Sequence, residues 1–163
     1  MFVENIVLTN KKISIVIEGK VLEKILANIK NKSLETGGIL YGFKIKETDE
    51  YILSGITEQQ ELDKVTCCSY NRLDPNHLKI VNNLWKEDKS IMYLGDWHYH
   101  PVDFINPSRT DYQTFKRNAK ESKTDSQFLF YIIVGKQEIK LFIYKKKCAK
   151  LLDILQIYWN EMN

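Results

Sequence analysis

The chain has 163 residues, 44% of them hydrophobic and 28% charged, which suits a single domain over residues 1–163 around one core. A net charge of +3 is too small to argue for nucleic acid or an acidic membrane surface, and no apolar run is long enough to span a bilayer. Glu4 stands where a signal peptide would carry positive charge, so the expected location is the cytoplasm.

Residues 13–17 (ISIVI) form a predicted strand. Residues 20–31 place Leu22, Ile25, Leu26 and Ile29 on the stripe of an amphipathic helix. Residues 36–45 and 51–57 are predicted strands of a hairpin turning at 47–50. Two glycines within the first of them, Gly37 and Gly38, predict a bulge or a close backbone approach. Residues 58–73 have no period and are expected to be a long loop. It contains Cys67 and Cys68, which with Cys148 make three cysteines. An odd count without C-x-x-C spacing predicts reduced thiols rather than a disulfide framework or zinc ribbon.

Asp74-Pro75 is expected to start a second helix, with Asp74 as N-cap and Leu78, Val81 and Trp85 as its buried face. His77, alone in that helix, is expected to be solvated or partly packed. A strand over 91–100 and a helix over 108–122 follow. Residues 127–134 and 138–144 then form a hairpin around 135–137, and a run of three lysines after it (Lys145, Lys146, Lys147) reads as a solvated strand end. Residues 151–159 are apolar-striped and are predicted to be a final helix. The order β-α-β-β-α-β-α-β-β-α predicts an α/β fold, a mixed sheet with helices packed on it.

The chemistry concentrates in "GDWHYHPVDFINPSRTD". His98 and His100 lie two apart on a predicted strand, so both imidazoles leave one face and Tyr99 leaves the other. Two imidazoles on one face can hold a divalent cation, and imidazole suits zinc. Pro101 ends the strand. Ser108-x-x-Asp111 is close to a capping box, and alone it reads more readily as a cap than as a ligand. However, Asp111 shares a helix face with Phe115 and Ala119, so its carboxylate would lie on the buried side and need a strong partner. Both readings stay open, and they can coexist. Glu35 is a carboxylate opening the Gly-Gly strand, beside a possible edge for a peptide backbone.

Taken in order, Glu35 with "ETGGIL", the His-x-His-Pro of His98 to Pro101 and the Ser-x-x-Asp of Ser108 to Asp111 resemble the JAB/MPN (JAMM) zinc metalloprotease superfamily, and most of all its prokaryotic JAB-domain deconjugating peptidases. The resemblance implies a curved mixed sheet flanked by helices, similar to cytidine deaminases. It implies one Zn²⁺ per chain on His98, His100 and Asp111, with Glu35 as general base and the Ser108 hydroxyl supporting the oxyanion. It further implies cleavage after the C-terminal glycine of a ubiquitin-like protein or its conjugate, in company with E1- and E2-like proteins and with a role in anti-phage conjugation. Tyr99 departs from the family's commoner Ser or Thr. Two alternatives keep the same residues in view: trimming of a sulfur-carrier protein to expose its terminal glycine, and a non-catalytic MPN-type scaffold. A deaminase would need H-x-E and P-C-x-x-C, and the chain has neither.

Overall fold

A computed structural model describes residues 3–162. The strands are β1 (Ile6–Thr9), β2 (Ser14–Ile17), β3 (Thr36–Lys44), β4 (Glu50–Ile56), β5 (Lys64–Val65), β6 (Tyr70–Asn71), β7 (Met92–Tyr99), β8 (Phe128–Val134), β9 (Glu138–Lys145) and β10 (Lys150–Tyr158). The helices are α1 (Gly19–Ile29), α2 (Asn76–Glu87) and α3 (Arg109–Glu121). Eight strands form one mixed sheet in the order β1-β2-β4-β3-β7-β8-β9-β10, and β5 with β6 makes a separate small hairpin. Pairs β2/β4 and β7/β8 are parallel and the other pairs are antiparallel. No helix among the described residues is long and apolar enough to cross a membrane.

Strand β8 (FLFYIIV) has no polar face because both of its faces are covered. Phe130, Ile132 and Val134 join a core with Trp97, Tyr99 and the Val21, Leu22 and Ile25 face of α1. Leu129, Tyr131 and Ile133 join the second core, with Phe115 and Ala119 of α3. The sheet thus separates two apolar layers, and period-two alternation decides which residues enter each. Phe115 stacks on Tyr131 with ring centroids 4.5 Å apart, which seats the first half of α3 over β7 and β8.

Several expectations from the sequence are corrected. Residues 151–159 are not a helix: Lys150–Tyr158 pairs antiparallel with β9, with a register shift between Leu151 and Asp153. The extra residue turns Leu152 and Leu155, three apart, toward one core while Leu151 meets the other. A bulge therefore gave this strand the i, i+3 spacing of a helix. In α2, His77 and Val81 are buried, whereas Leu78 and Trp85 are about half exposed, at 49% and 48%. The buried stripe is set by His77, not by the largest apolar residues. Asp74 does cap the helix start, accepting from the Asn76 N–H at 2.8 Å. β1 was not anticipated, and residues 58–73 contain the β5–β6 hairpin.

The glycine pair also needs correction. β3 lies inside the sheet, between β4 and β7, and its register shifts fall at Leu40 to Gly42 rather than at Gly37-Gly38. A close approach does occur, but to the chain's own residues. A Cβ on Gly37 would sit 2.4 Å from the Trp97 carbonyl oxygen and 2.6 Å from the Tyr70 ring. Gly37–Gly38 is thus not a free edge for a peptide.

Candidate active site

Gly95 sets the geometry of the site. It has φ +143°, and a Cβ there would lie 1.7 Å from the Phe130 carbonyl oxygen, so only glycine fits. The β3–β7 register shifts at this point and then runs regularly from Asp96 to Tyr99. Asp96 and His98 therefore share one face, and His100 continues it just past the strand end. Tyr99 is buried on the opposite face.

His98 and His100 converge, with Nε2 atoms 2.9 Å apart. Oδ1 of Asp111 lies 3.1 Å from Nε2 of His98 and 3.7 Å from Nε2 of His100. Glu35 Oε1 is 3.7 Å from Nε2 of His100, and Glu35 is only 6% exposed. The structure therefore brings Glu35, His98, His100 and Asp111 to one place. Ser108 stands at its margin, where its hydroxyl donates to Asp111 Oδ2 at 2.8 Å and accepts from the Asp111 N–H at 3.2 Å. The Ser108 N–H also donates to Oδ2, at 2.6 Å. The capping box is complete.

Three ligand atoms separated by 2.9, 3.1 and 3.7 Å fit a tetrahedral zinc. Bonds of about 2.05 Å place ligands of a tetrahedron about 3.3 Å apart. Two imidazoles and a carboxylate are also the donor types zinc takes. Each comes from rigid structure: two from one strand end, one from the first turn of a helix held by the Phe115 stack.

The charges are coupled. Burial pushes the Glu35 carboxyl above its ordinary value of 4.5, partly offset by His100 and His98, and Asp111 adds to the rise. Burial opposes a charged His100 ring, but the hydrogen bond it donates to Asp111 and the charges of Glu35 and Asp111 outweigh it and raise its pKa above 6.5. Burial likewise opposes the charge on Asp111, yet its bonds to His100 and His98 hold that carboxyl well below the usual range.

His77 is not solvated but fully buried. Its Nε2 is 2.7 Å from Asp63 Oδ2 and its Nδ1 2.6 Å from the Thr57 hydroxyl. A carboxylate only accepts, so Nε2 carries the proton. Asp63 also accepts from the backbone N–H groups of Gln60, Leu73 and Asp74 and from the Tyr70 hydroxyl. It is the hub that orders residues 58–73. The aperiodic sequence of that segment carried no signal for this. The hairpin it contains reaches the site directly, since the Glu35 N–H donates to the Thr66 carbonyl at 3.0 Å. Cys67, Cys68 and Cys148 are free and exposed.

Comparison with known proteins places the fold among solved and curated relatives. Two curated relatives are named CD-NTase/cGAS isopeptidase. One, from Vibrio cholerae serotype O1, is 27% identical over 145 residues, 87% of each chain. The other, from Escherichia coli strain TW11681, is 29% identical over 108 residues, 66% of this chain and 65% of that one. A protein of Desulfitobacterium hafniense with a known solution structure shares the fold, with a TM-score of 0.58 and 22% identity over 84% of this chain and 88% of that one. Residues 19–144, from the first residue of α1 to the last residue but one of β9, match the family described as prokaryotic homologs of the JAB domain, and the chain belongs to that family.

Proposed function

We propose that the chain is a zinc-dependent isopeptidase that hydrolyses the bond after the C-terminal glycine of a ubiquitin-like protein, releasing it from a conjugate. The observation that carries this reading is the convergence of His98, His100 and Asp111 with buried Glu35 beside His100. The relatives' names support a conjugate of a CD-NTase as the substrate.

Zinc held by His98, His100 and Asp111 supplies Lewis acidity toward water and the scissile carbonyl. Glu35 accepts the proton of the attacking water and returns it to the leaving amine. Its buried place beside His100 suits both halves of that exchange. Ser108 anchors Asp111 and can support the oxyanion when its hydroxyl proton turns away from Oδ2. No thiol takes part. The substrate tail lies over the face that carries His98 and His100, because Gly37 is covered by Tyr70 and Trp97 and Gly38 by Thr57.

A Glu35→Gln trap tests the substrate. The variant is used as bait in cells of the source organism, and the retained proteins are identified by mass spectrometry. A ubiquitin-like tail joined to a larger protein supports deconjugation. A free small precursor ending beyond a glycine supports sulfur-carrier trimming, and stable stoichiometric partners with neither would contradict a peptidase.

A further inference from the structure

Outside the proposed ligands, one carboxylate gathers donors from three segments. Asp96 Oδ1 accepts from Arg72 Nε at 3.1 Å. Its Oδ2 accepts from the Tyr93 hydroxyl at 2.9 Å and from Asn118 Nδ2 at 2.6 Å. The Asp96 side chain is 13% exposed and that of Arg72 23%. Asp96 stands two residues before His98 on the same face of β7.

The donors come from the two walls beside that face. Arg72 directly follows β6. Its hairpin holds the Glu35 backbone through Thr66 and lays Tyr70 over Gly37, the residue opposite His98. Asn118 lies two helical turns after Asp111 on α3, so both sit on the side of that helix that meets the sheet. Between them Phe115 places its ring 5.9 Å from that of His98. One wall therefore supports Glu35 and the other carries Asp111, and both are tied to a single carboxylate on the strand that carries the histidines.

We propose that Asp96 is a positioning residue that fixes both walls of the proposed site, Asn118 setting the distance of Asp111 from His98 and Arg72 setting the placement of the Glu35 wall. The proposal rests on the zinc reading above. It separates the two donors by what they control. Releasing Asn118 loosens the helix that brings Asp111. Releasing Arg72 loosens the hairpin that holds Glu35 while leaving all three proposed ligands tied.

The test is calorimetric zinc titration of the zinc-stripped full chain, alongside steady-state cleavage with saturating zinc. The variants are Asn118→Leu, Asn118→Ala, Arg72→Gln and Arg72→Lys. Both Asn118 variants should bind zinc about 10- to 100-fold more weakly, the range for partners that orient a ligand. Arg72→Gln should bind zinc as the wild type does and lose kcat/KM, with Arg72→Lys recovering part of the loss. A purely structural role would lower the melting temperature of all four without this division. If the Asn118 and Arg72 variants change zinc affinity alike, or neither changes anything but melting temperature, the proposal is overturned. A wild-type chain that takes up no zinc overturns the metal reading itself, so the two failures are distinguishable.

Discussion

Asp111 divides its carboxylate between Ser108 and the histidines. Oδ2 receives the Ser108 N–H and hydroxyl at 2.6 and 2.8 Å, while Oδ1 faces Nε2 of His98 at 3.1 Å. The cap and the proposed ligand are therefore one side chain in one rotamer. The helix start that orients Asp111 also spends one of its oxygens, leaving the other aimed at the proposed cation site.

This division predicts a double effect for Ser108→Ala. The cap loss should cost about 1 kcal/mol of stability. Because two of the bonds that orient Asp111 depend on the cap, zinc affinity should also fall by about tenfold. Urea unfolding and zinc titration of the same preparation check both. Unchanged zinc affinity with a slower rate would leave Ser108 with an oxyanion role alone.

Removing a proposed ligand should be more severe. The purified protein is expected to carry about one zinc per chain, and His98→Ala, His100→Ala and Asp111→Ala should each lose most of it. Elemental analysis that found full zinc in all three would contradict the site.

Zinc uptake should depend on pH through His100. Without metal, Asp111 and Glu35 keep the proton on its ring to a higher pH than the ordinary 6.5. Zinc must displace that proton, so apparent affinity should rise with pH through neutrality, by up to about tenfold per pH unit for each proton displaced. Calorimetry at pH 6, 7 and 8 reads this directly. Equal affinity at all three would mean that no proton leaves on binding.

Much of the site could be read in the sequence because its parts are local. His98 and His100 need only a strand's alternation, and Ser108 with Asp111 needs only a helix start. Asp96 was equally accessible as the next residue back on the same face, but its donors Arg72 and Asn118 come from distant segments that no local pattern connects. The errors have specific causes. β10 mimicked a helix because a bulge broke its alternation. The full burial of His77, against an expectation of a solvated or partly packed ring, escaped the sequence because its partners Thr57 and Asp63 are 20 and 14 residues away. Gly37–Gly38 looked like an edge because pairing with β7 is a long-range fact.

Asp63 should make the fold acid-sensitive in a defined window. Burial works against its charge, but the hydrogen bonds of Gln60, Asp74, His77 and Leu73 win and lower its pKa from 3.8 to about 2. A depressed carboxyl contributes stability that is complete above about pH 4 and is lost as pH falls through about 2, an amount of roughly 2 kcal/mol. Asp63→Asn should therefore be less stable than the wild type at pH 7, and the gap should shrink between pH 4 and 2. Urea unfolding across that range checks it; a gap independent of pH would assign the effect to shape alone.

The cysteines should be dispensable. A Cys67→Ser, Cys68→Ser, Cys148→Ser triple variant is expected to keep peptidase activity, and a chelator to abolish it. Cleavage that resisted the chelator and required the thiols would contradict the proposed chemistry.

The most direct test of the central claim compares zinc content and cleavage in Glu35→Gln. The substitution keeps the side chain's shape and removes its basicity. Zinc should stay at the wild-type level, because Glu35 is not among the proposed ligands. Cleavage of a linear fusion that ends the ubiquitin-like part at its terminal glycine should fall by at least the ~10²-fold typical of losing a general base. Cleavage at the wild-type rate, or loss of zinc together with the rate, would contradict the account.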